Sequence, residues 1–511
     1  MPKAETDLPR PEFRPAIPAA FSLLHSTVTR RWLLFAALAL FAFLIRLPQL
    51  GERPMHTDES VNAFLIGKLL AGDQYRYDPQ DRHGPLLYVV AEPLVKLLGA
   101  KNLSDLTETQ LRLIPVLVGS TMVLLFGAAV DLFGLIPCLV AALLFALAPL
   151  PVYYSRYFIH ETLFVAATLG LILAGWRTLQ NPGILSAALT GGCAALMLAC
   201  KETAIIHFFA LGIGLLCVRL LKPSLPYPPA KVLATMLVIF VATGILLFTW
   251  FGQNWSGLTD LVRAMPRFAA RASGEGHEKP FGYYGHLLDP LFILVFVAVA
   301  GAYAAICDVV SSRSKAGLFI AIYGLVIFLI YSAIPYKTPW LALNLWLPFS
   351  LLCGVGAAAF GKLLTKPAAR WGAGLACGFF LLALFAQTKL LVFQHPADEK
   401  NPFAYAHTSE DLLQLPVRLA ELAREKHIAQ PRIAVVAADA WPLPWYLRKF
   451  SCVGYWQPGQ AAGAADFFIT TSEVPGPLAA QLQGFRPDFF GARPNVLLIL
   501  WSPSATHVLA P

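Results

Sequence analysis

Apolar runs of about 20 residues, long enough to cross a hydrocarbon core of roughly 30 Å as helices, recur from residue 32 to about residue 390. We read about eleven of them, at 32–49, 112–130, 133–153, 158–176, 183–200, 203–221, 231–251, 287–308, 316–335, 339–360 and 371–390. Between the first two lie two stretches of helical apolar spacing broken by charges, 59–71 (ESVNAFLIGKLLA) and 84–98 (GPLLYVVAEPLVKLL). That pattern predicts helices lying in the interface plane rather than across it. Past residue 390 the pattern changes. Residues 409–427 predict an amphipathic helix and 442–449 a short helical stretch. Short β-rich runs stand at 432–437, 466–471 and 495–501, as in a small α/β domain. The expected organisation is mainly α: a tail at 1–31, a polytopic transmembrane module at 32–390, and an α/β domain at 391–511.

Composition supports this frame. The chain is 57% hydrophobic and only 14% charged, with a mean hydropathy of +0.61, values of a multi-span membrane protein rather than an anchored soluble one. The first run is too long, and its basic flank too remote from any small-residue cleavage site, for a cleaved signal peptide. The formal charge of +9 is spread over loops with no aromatic-interleaved patch, so it does not indicate nucleic acid. Cys452 alone of the eight cysteines falls in the polar tail, and no disulfide framework or zinc spacing is present.

Charge also orients the chain, because short cytoplasmic loops carry excess Lys and Arg. Lys3, Arg10, Arg14, Arg30 and Arg31 precede the first run. Arg177, then Arg219, Lys222 and Lys231, then Arg313 and Lys315, then Lys362, Lys366 and Arg370 occupy alternate connections. The opposite set is then extracytoplasmic: 50–111, 154–158, 201–202, 252–286, 336–338 and everything after 390. The chemically interesting clusters of the membrane half fall in that set. A multi-pass protein of the plasma (inner) membrane with its active face and C-terminal domain outside is expected.

Asp58-Glu59, in His56-Thr57-Asp58-Glu59, is the foremost candidate. A carboxylate at a membrane boundary is costly unless hydrated, paired or used in chemistry, and a general base needs an ionised carboxylate near an acceptor hydroxyl. The plain alternative is a helix cap supplied by Thr57 or Asp58. Arg156 and Glu161, in Arg156-Tyr157-Phe158-Ile159-His160-Glu161, come second: a guanidinium fork for phosphate and an acid for a hydroxyl, base or metal. Against that stands a snorkelling arginine and a first-turn acid favoured by the helix dipole. Lys201-Glu202 and Tyr336-Lys337-Thr338-Pro339-Trp340 each offer a cation to a lipid-linked phosphate entering from the bilayer, or else an interfacial anchor. Loop 50–111 adds a polar turn with Tyr75, Arg82 and His83. Loop 252–286 mixes mobile glycines with His277, Glu278, Lys279 and Tyr283, as substrate-covering loops do. His56, His83, His160 and His277 are too scattered to read as a metal set, and Trp441-Pro442-Leu443-Pro444-Trp445 reads as packing.

Taken together these residues resemble the GT-C fold glycosyltransferases, multi-span enzymes that use polyprenyl-phosphate sugars on the extracytoplasmic face. Asp58-Glu59 matches their acidic motif in the first outer loop. Arg156 and Glu161 are similar to the Arg and acid, five residues apart, of the protein O-mannosyltransferase and aminoarabinose-transferase branch (family 39-like), where the acid is usually Asp. Leu198-Ala199-Cys200-Lys201-Glu202 resembles the same branch's apolar run ending in a phosphate-meeting lysine. HTDESVNAF, GHEKPFGYY, YKTPW and NPFAYAHTSEDL resemble a subgroup described as flippase activity-associated proteins of glycosylation clusters, over nearly the whole chain.

The resemblance implies an inverting membrane glycosyltransferase that moves a sugar from a polyprenyl-phosphate donor to an extracytoplasmic lipid, glycan or protein. In that reading Asp58 acts as base or metal-linked carboxylate, supported by Glu59 and Glu161. Arg156, Lys201 and Lys337 neutralise the leaving phosphate. Carboxylates and phosphate oxygens suit Mg²⁺ or Mn²⁺, with Asp58 and Glu161 as ligands, though nothing compels a metal. The alternative is a non-catalytic lipid-linked-sugar binding or flippase-associated accessory protein, or a transporter. A transporter would place its ionisable groups near mid-membrane on broken helices, often in inverted repeats, and neither feature is visible.

Overall fold

The protein is described here from a computed structural model, over residues 27–80, 82–221, 225–288, 292–307, 312–474 and 476–504. The tail before residue 27, with Lys3, Arg10 and Arg14, lies outside the described residues, as do Asp81 and Lys222 and the side chain of Arg313.

Each of the eleven apolar runs contains an apolar helix. Among the described residues eight helices are long and apolar enough to cross a membrane: Val28–Arg46, Glu108–Phe133, Glu161–Gln180, Ala204–Leu221, Ala230–Phe248, Lys315–Ala333, Pro339–Leu363 and Pro367–Gln394. Three shorter apolar helices, Leu135–Leu147, Ile184–Cys200 and Val297–Ile306, fall on the remaining runs. The protein is thus an integral membrane protein. Helices at the rim expose Leu40, Leu237, Phe379 and Leu382, side chains suited to lipid rather than water. Inside the bundle, Gly301 of helix Phe292–Cys307 and Gly356 of helix Ala342–Leu363 face each other's backbones so closely that a Cβ on either would overlap a carbonyl of the other helix. Small residues there let the two helices approach where no hydrophobic effect drives association.

Between the first two spans run helices Thr57–Leu70 and Leu86–Leu97, where interface helices were expected. Tyr88, Ala91 and Val95 form the buried stripe of the second, at the three- and four-residue spacing of one helical face. The 252–286 segment differs from the loop expected of it. Ser256–Arg271 is a helix, with Leu258, Leu261 and Met265 packed on the core and arginines on the opposite face. Its apolar period was present in the sequence and was overshadowed by the glycines that follow.

The C-terminal domain holds a five-stranded mixed sheet of order β2-β1-β3-β5-β4. β1 (Arg432–Val436) runs parallel to β2 (Cys452–Trp456) and β3 (Phe467–Thr471). β5 (Val496–Pro503) pairs antiparallel with β3 and with β4 (Phe485–Arg493). β1, β3 and β5 match the expected runs; β2 and β4 are additional. Helix Gln414–Glu425 buries Leu415, Leu419, Leu422 and Ala423 against the domain. The domain is bolted to the bundle around Met55: the Met55 amide hydrogen-bonds Tyr446 Oη at 2.7 Å, and Thr408 Oγ1 donates to the Met55 carbonyl at 2.6 Å. Trp445 Nε1 adds a bond to Glu108 at 2.7 Å.

Candidate active site

Helix Thr57–Leu70 begins with a cap that separates the two adjacent carboxylates. His56, not Thr57 or Asp58, is the N-cap: its Nδ1 accepts the Asp58 amide at 3.1 Å, and the Glu59 carboxylate accepts the His56 amide at 3.2 Å. This is a capping box with histidine in the hydroxyl's place. With Nδ1 accepting, the His56 proton sits on Nε2, which donates to the Tyr405 carbonyl at 3.2 Å. Burial favours that neutral ring and lowers its pKa, against the raising charges of Asp58 and Glu59.

One helical position apart, the two acids meet different surroundings. Glu59 is fully buried and accepts two 2.8 Å bonds from Arg112, with Arg53 at 3.5 Å. Burial alone would raise its pKa, but the charges of Arg112 and Arg53 hold it far below the usual carboxylate range. Asp58 keeps 47% of its side chain exposed and lines a cavity of about 440 Å³ at the end of the bundle that carries the C-terminal domain.

That cavity gathers residues distant in sequence. Loop 79–83 contributes Arg82 and His83, and the start of helix Glu161–Gln180 contributes His160 and Glu161. The break between helices Ile184–Cys200 and Ala204–Leu221 contributes Lys201, Glu202 and Thr203. Helix Ser256–Arg271 presents Arg267 and Arg271, His277 follows, and Tyr336 and Trp340 close another side. Asp439 and Trp441, on the loop after β1, complete the wall from the C-terminal domain.

A buried pair and a half-buried one fix its floor. Lys201 Nζ is ion-paired with Glu161, both side chains under a tenth exposed. Beside them Glu202 accepts the Tyr77 hydroxyl at 2.6 Å and meets His83 Nδ1 at 2.7 Å. Burial would raise the Glu202 carboxyl, but the His83 charge and the bonds from His83 and Tyr77 hold it down to about 2. An ionised Glu202 accepts from Nδ1–H and so orients the His83 ring.

Of the residues singled out in the sequence, Asp58, Glu161, Lys201, Arg82, His83 and His277 line this cavity, and Glu59 does not. Arg156 does not either: its Nη1 donates to the carbonyls of Arg46 and Pro48 at 2.6 Å, and its Nη2 to Gln49 at 3.1 Å. Lys337 is buried, with Nζ donating to the Lys279 carbonyl at 3.0 Å and to that of Ile334. Tyr75 stacks on Trp250, Tyr283 packs against Tyr284, Glu278 is exposed, and Lys279 sits over the Tyr405 ring. Arg267, Arg271 and Asp439 line the cavity without having been singled out, Glu202 was named only beside Lys201, and Trp441, read as packing, is also in the wall. Only the arginines had a local signal, at four-residue spacing on an amphipathic helix.

Glu161 is committed to Lys201, and among the described residues no group of three His, Cys, Asp or Glu side chains is placed to hold a metal ion. The cavity instead holds a half-exposed carboxylate, Asp58, together with Arg82, Lys201, Arg267 and Arg271, the last two shared with Glu275 on the same wall, an arrangement for a neutral nucleophile and an anionic leaving group.

No protein-family model and no curated protein sequence matches the chain. Solved structures share its architecture. ArnT from Cupriavidus metallidurans bound to undecaprenyl phosphate aligns with a TM-score of 0.59 at 17% identity, over 92% of this chain and 97% of that one. The apo oligosaccharyltransferase of Archaeoglobus fulgidus aligns with a TM-score of 0.51 at 12% identity, over 94% and 75% of the two chains. The arabinofuranosyltransferase AftD from Mycobacteria also reaches 0.51 at 16% identity, over 94% of this chain and 40% of that one. The fold common to them is the GT-C fold, and this chain has it.

Proposed function

We propose that this protein is a membrane glycosyltransferase that takes a sugar from a polyprenyl-phosphate donor and passes it to an acceptor on the extracytoplasmic face. The observation that carries the reading is the single cavity shared by Asp58 and the cations Lys201, Arg82, Arg267 and Arg271. The undecaprenyl phosphate bound to the similarly folded ArnT supports that class of donor. Arg177, Arg219, Lys362 and Arg370 lie at the helix ends remote from the cavity, which favours the cavity facing away from the cytoplasm.

In the proposed reaction Asp58 accepts the acceptor's hydroxyl proton as that oxygen attacks the anomeric carbon. The carbon–oxygen bond to phosphate breaks, and its electron pair leaves on the polyprenyl phosphate. Lys201 and the arginines stabilise that departing charge. Of the carboxylates that line the cavity, Glu161, Glu202, Glu275 and Asp439 are paired with Lys201, His83, Arg267 and Arg493, which leaves Asp58 for chemistry and favours a single displacement with inversion over a two-carboxylate covalent route.

The test is purified protein in liposomes, supplied with radiolabelled polyprenyl-phosphate sugars and a membrane extract as acceptor source. Label transfer that disappears in Asp58→Asn is the expected result. Donors that bind without ever turning over would overturn catalysis and leave an accessory binding protein.

A further inference from the structure

A second pocket, of about 90 Å³, is lined by Arg53, Arg112 and Arg156. It shares no lining residue with the catalytic cavity. It lies where helix Thr27–Arg46 gives way to Gln49 and Leu50 and where the last span ends at Phe393 and Gln394. Those two helices are among the most lipid-exposed in the bundle, with 11% and 17% of their apolar windows buried.

The charge in this region does not balance internally. Arg46, Arg53, Arg112 and Arg156 are all buried, and Glu59 is the buried carboxylate that meets them, pairing with Arg112 and Arg53. Arg46 and Arg156 spend donors on backbone carbonyls and on Ser155. Such acceptors satisfy hydrogen bonds but carry no net charge. Arg53 is left less than satisfied: Nη2 reaches the Arg156 carbonyl at 2.9 Å, while Nε, in a side chain only 6% exposed, has no hydrogen-bond partner among the described residues. The crowding tells on Arg156, whose pKa burial and then the charges of Arg53, Arg112 and Arg46 push down to about 9. The Tyr153 and Tyr157 rings beneath the Arg53 guanidinium offer it partial negative charge; a guanidinium keeps its proton even so, and an anion would relieve the field further. Glu52 and Glu410 also line the pocket, but both are exposed, so solvent and salt screen them in a way the buried cations escape.

We propose that this arginine-lined pocket is a second anion site that takes a phosphate group, either the headgroup phosphodiester of an anionic phospholipid or a free phosphate. The volume admits one tetrahedral oxyanion; Arg112 and Arg156 spend their forks on Glu59 and backbone carbonyls and would hold it by charge, while Arg53 keeps an unpartnered donor, Nε. The proposal stands apart from the glycosyltransferase reading, and it assigns Arg156 to this pocket instead of the donor.

The test uses the full-length protein, delipidated in detergent. One arm measures the thermal midpoint in inorganic phosphate against chloride at equal ionic strength. The other incorporates the protein into nanodiscs of phosphatidylglycerol or phosphatidylcholine and counts lipids retained on re-extraction by native mass spectrometry. Gln394→Glu places a carboxylate at the pocket without touching the arginine contacts, and should weaken binding at least tenfold. Glu52→Gln should strengthen it, and Lys201→Met, in the catalytic cavity, should leave it unchanged. One phosphatidylglycerol retained per protein assigns the lipid; a phosphate-dependent midpoint without retained lipid assigns the free anion. Signals equal in wild type and Gln394→Glu, or lost in Lys201→Met, would overturn the proposal.

Discussion

Glu59 and Arg112 meet side by side, Oε1 to Nε and Oε2 to Nη2, each at 2.8 Å and closed to solvent. The neighbouring Asp58 looks into the cavity. Removing one partner of a buried pair strands the other charge, at about 3–5 kcal/mol, whereas a half-exposed carboxylate with a surface-like environment tolerates an isostere within about 0.5 kcal/mol. Glu59→Gln should therefore unfold at markedly lower temperature, and Asp58→Asn should melt like the wild type while losing transfer by roughly 10²–10⁴-fold. Differential scanning fluorimetry in detergent, beside the transfer assay, checks both. A stable Glu59→Gln would refute the division of labour.

Lys201 and Glu161 are also a buried pair, but they line the cavity. Lys201→Met and Glu161→Gln should each destabilise, and the double variant should be more stable than the sum of the two losses implies, since contacting residues couple by about 0.5–3 kcal/mol. Transfer should stay low in the double variant, because the cation proposed to meet the donor phosphate is gone. Recovery of activity together with stability would make the pair purely structural.

Glu202 gives the protein an acid-sensitive joint. Its folded-state pKa, about 2, lies below the ordinary value of roughly 4.3. A group depressed on folding stabilises above its unfolded pKa, and that contribution drains away as pH falls through the folded one. The wild-type midpoint should thus drop more steeply than that of Glu202→Gln between about pH 4 and pH 2. Parallel curves would mean that the Tyr77–Glu202–His83 cluster contributes nothing to stability.

Gly84 follows His83 and abuts the helix Ile184–Cys200 backbone so closely that a Cβ would overlap the Ala199 carbonyl. Backbone cannot yield as a side-chain tip can. Gly84→Ala should displace the loop and its histidine from Glu202, cutting transfer while Ser104→Ala, on the same outer segment but exposed, leaves it intact. Equal activities in the transfer assay would count against the loop's role.

What the sequence revealed divides along physical lines. Apolar length and helical period are local, so the helices, the interface pair and three of five strands could be anticipated. β2, from Cys452 to Trp456, and β4, carrying Pro487 and charged residues, lack the apolar run that marks β1. In the site, Asp58 and Lys201 were visible as charges at the ends of apolar runs. The burial of Glu59 was not, because its partner Arg112 lies 53 positions away inside a run that read as plain membrane span. Arg156 resembled a phosphate ligand by residue type and spacing, whereas its contacts depend on how residues 46–49 wrap around it.

The grip on Met55 also bears on how the molecule can be divided. The peptide groups on either side of that one residue are held from positions 446 and 408, three residues ahead of the proposed base. The two modules thus share a fixed joint beside the cavity. A gene split near residue 390 should yield two halves that work only when produced together, and a binder fixed on the sheet would report the orientation of the whole bundle rather than that of a swinging appendage.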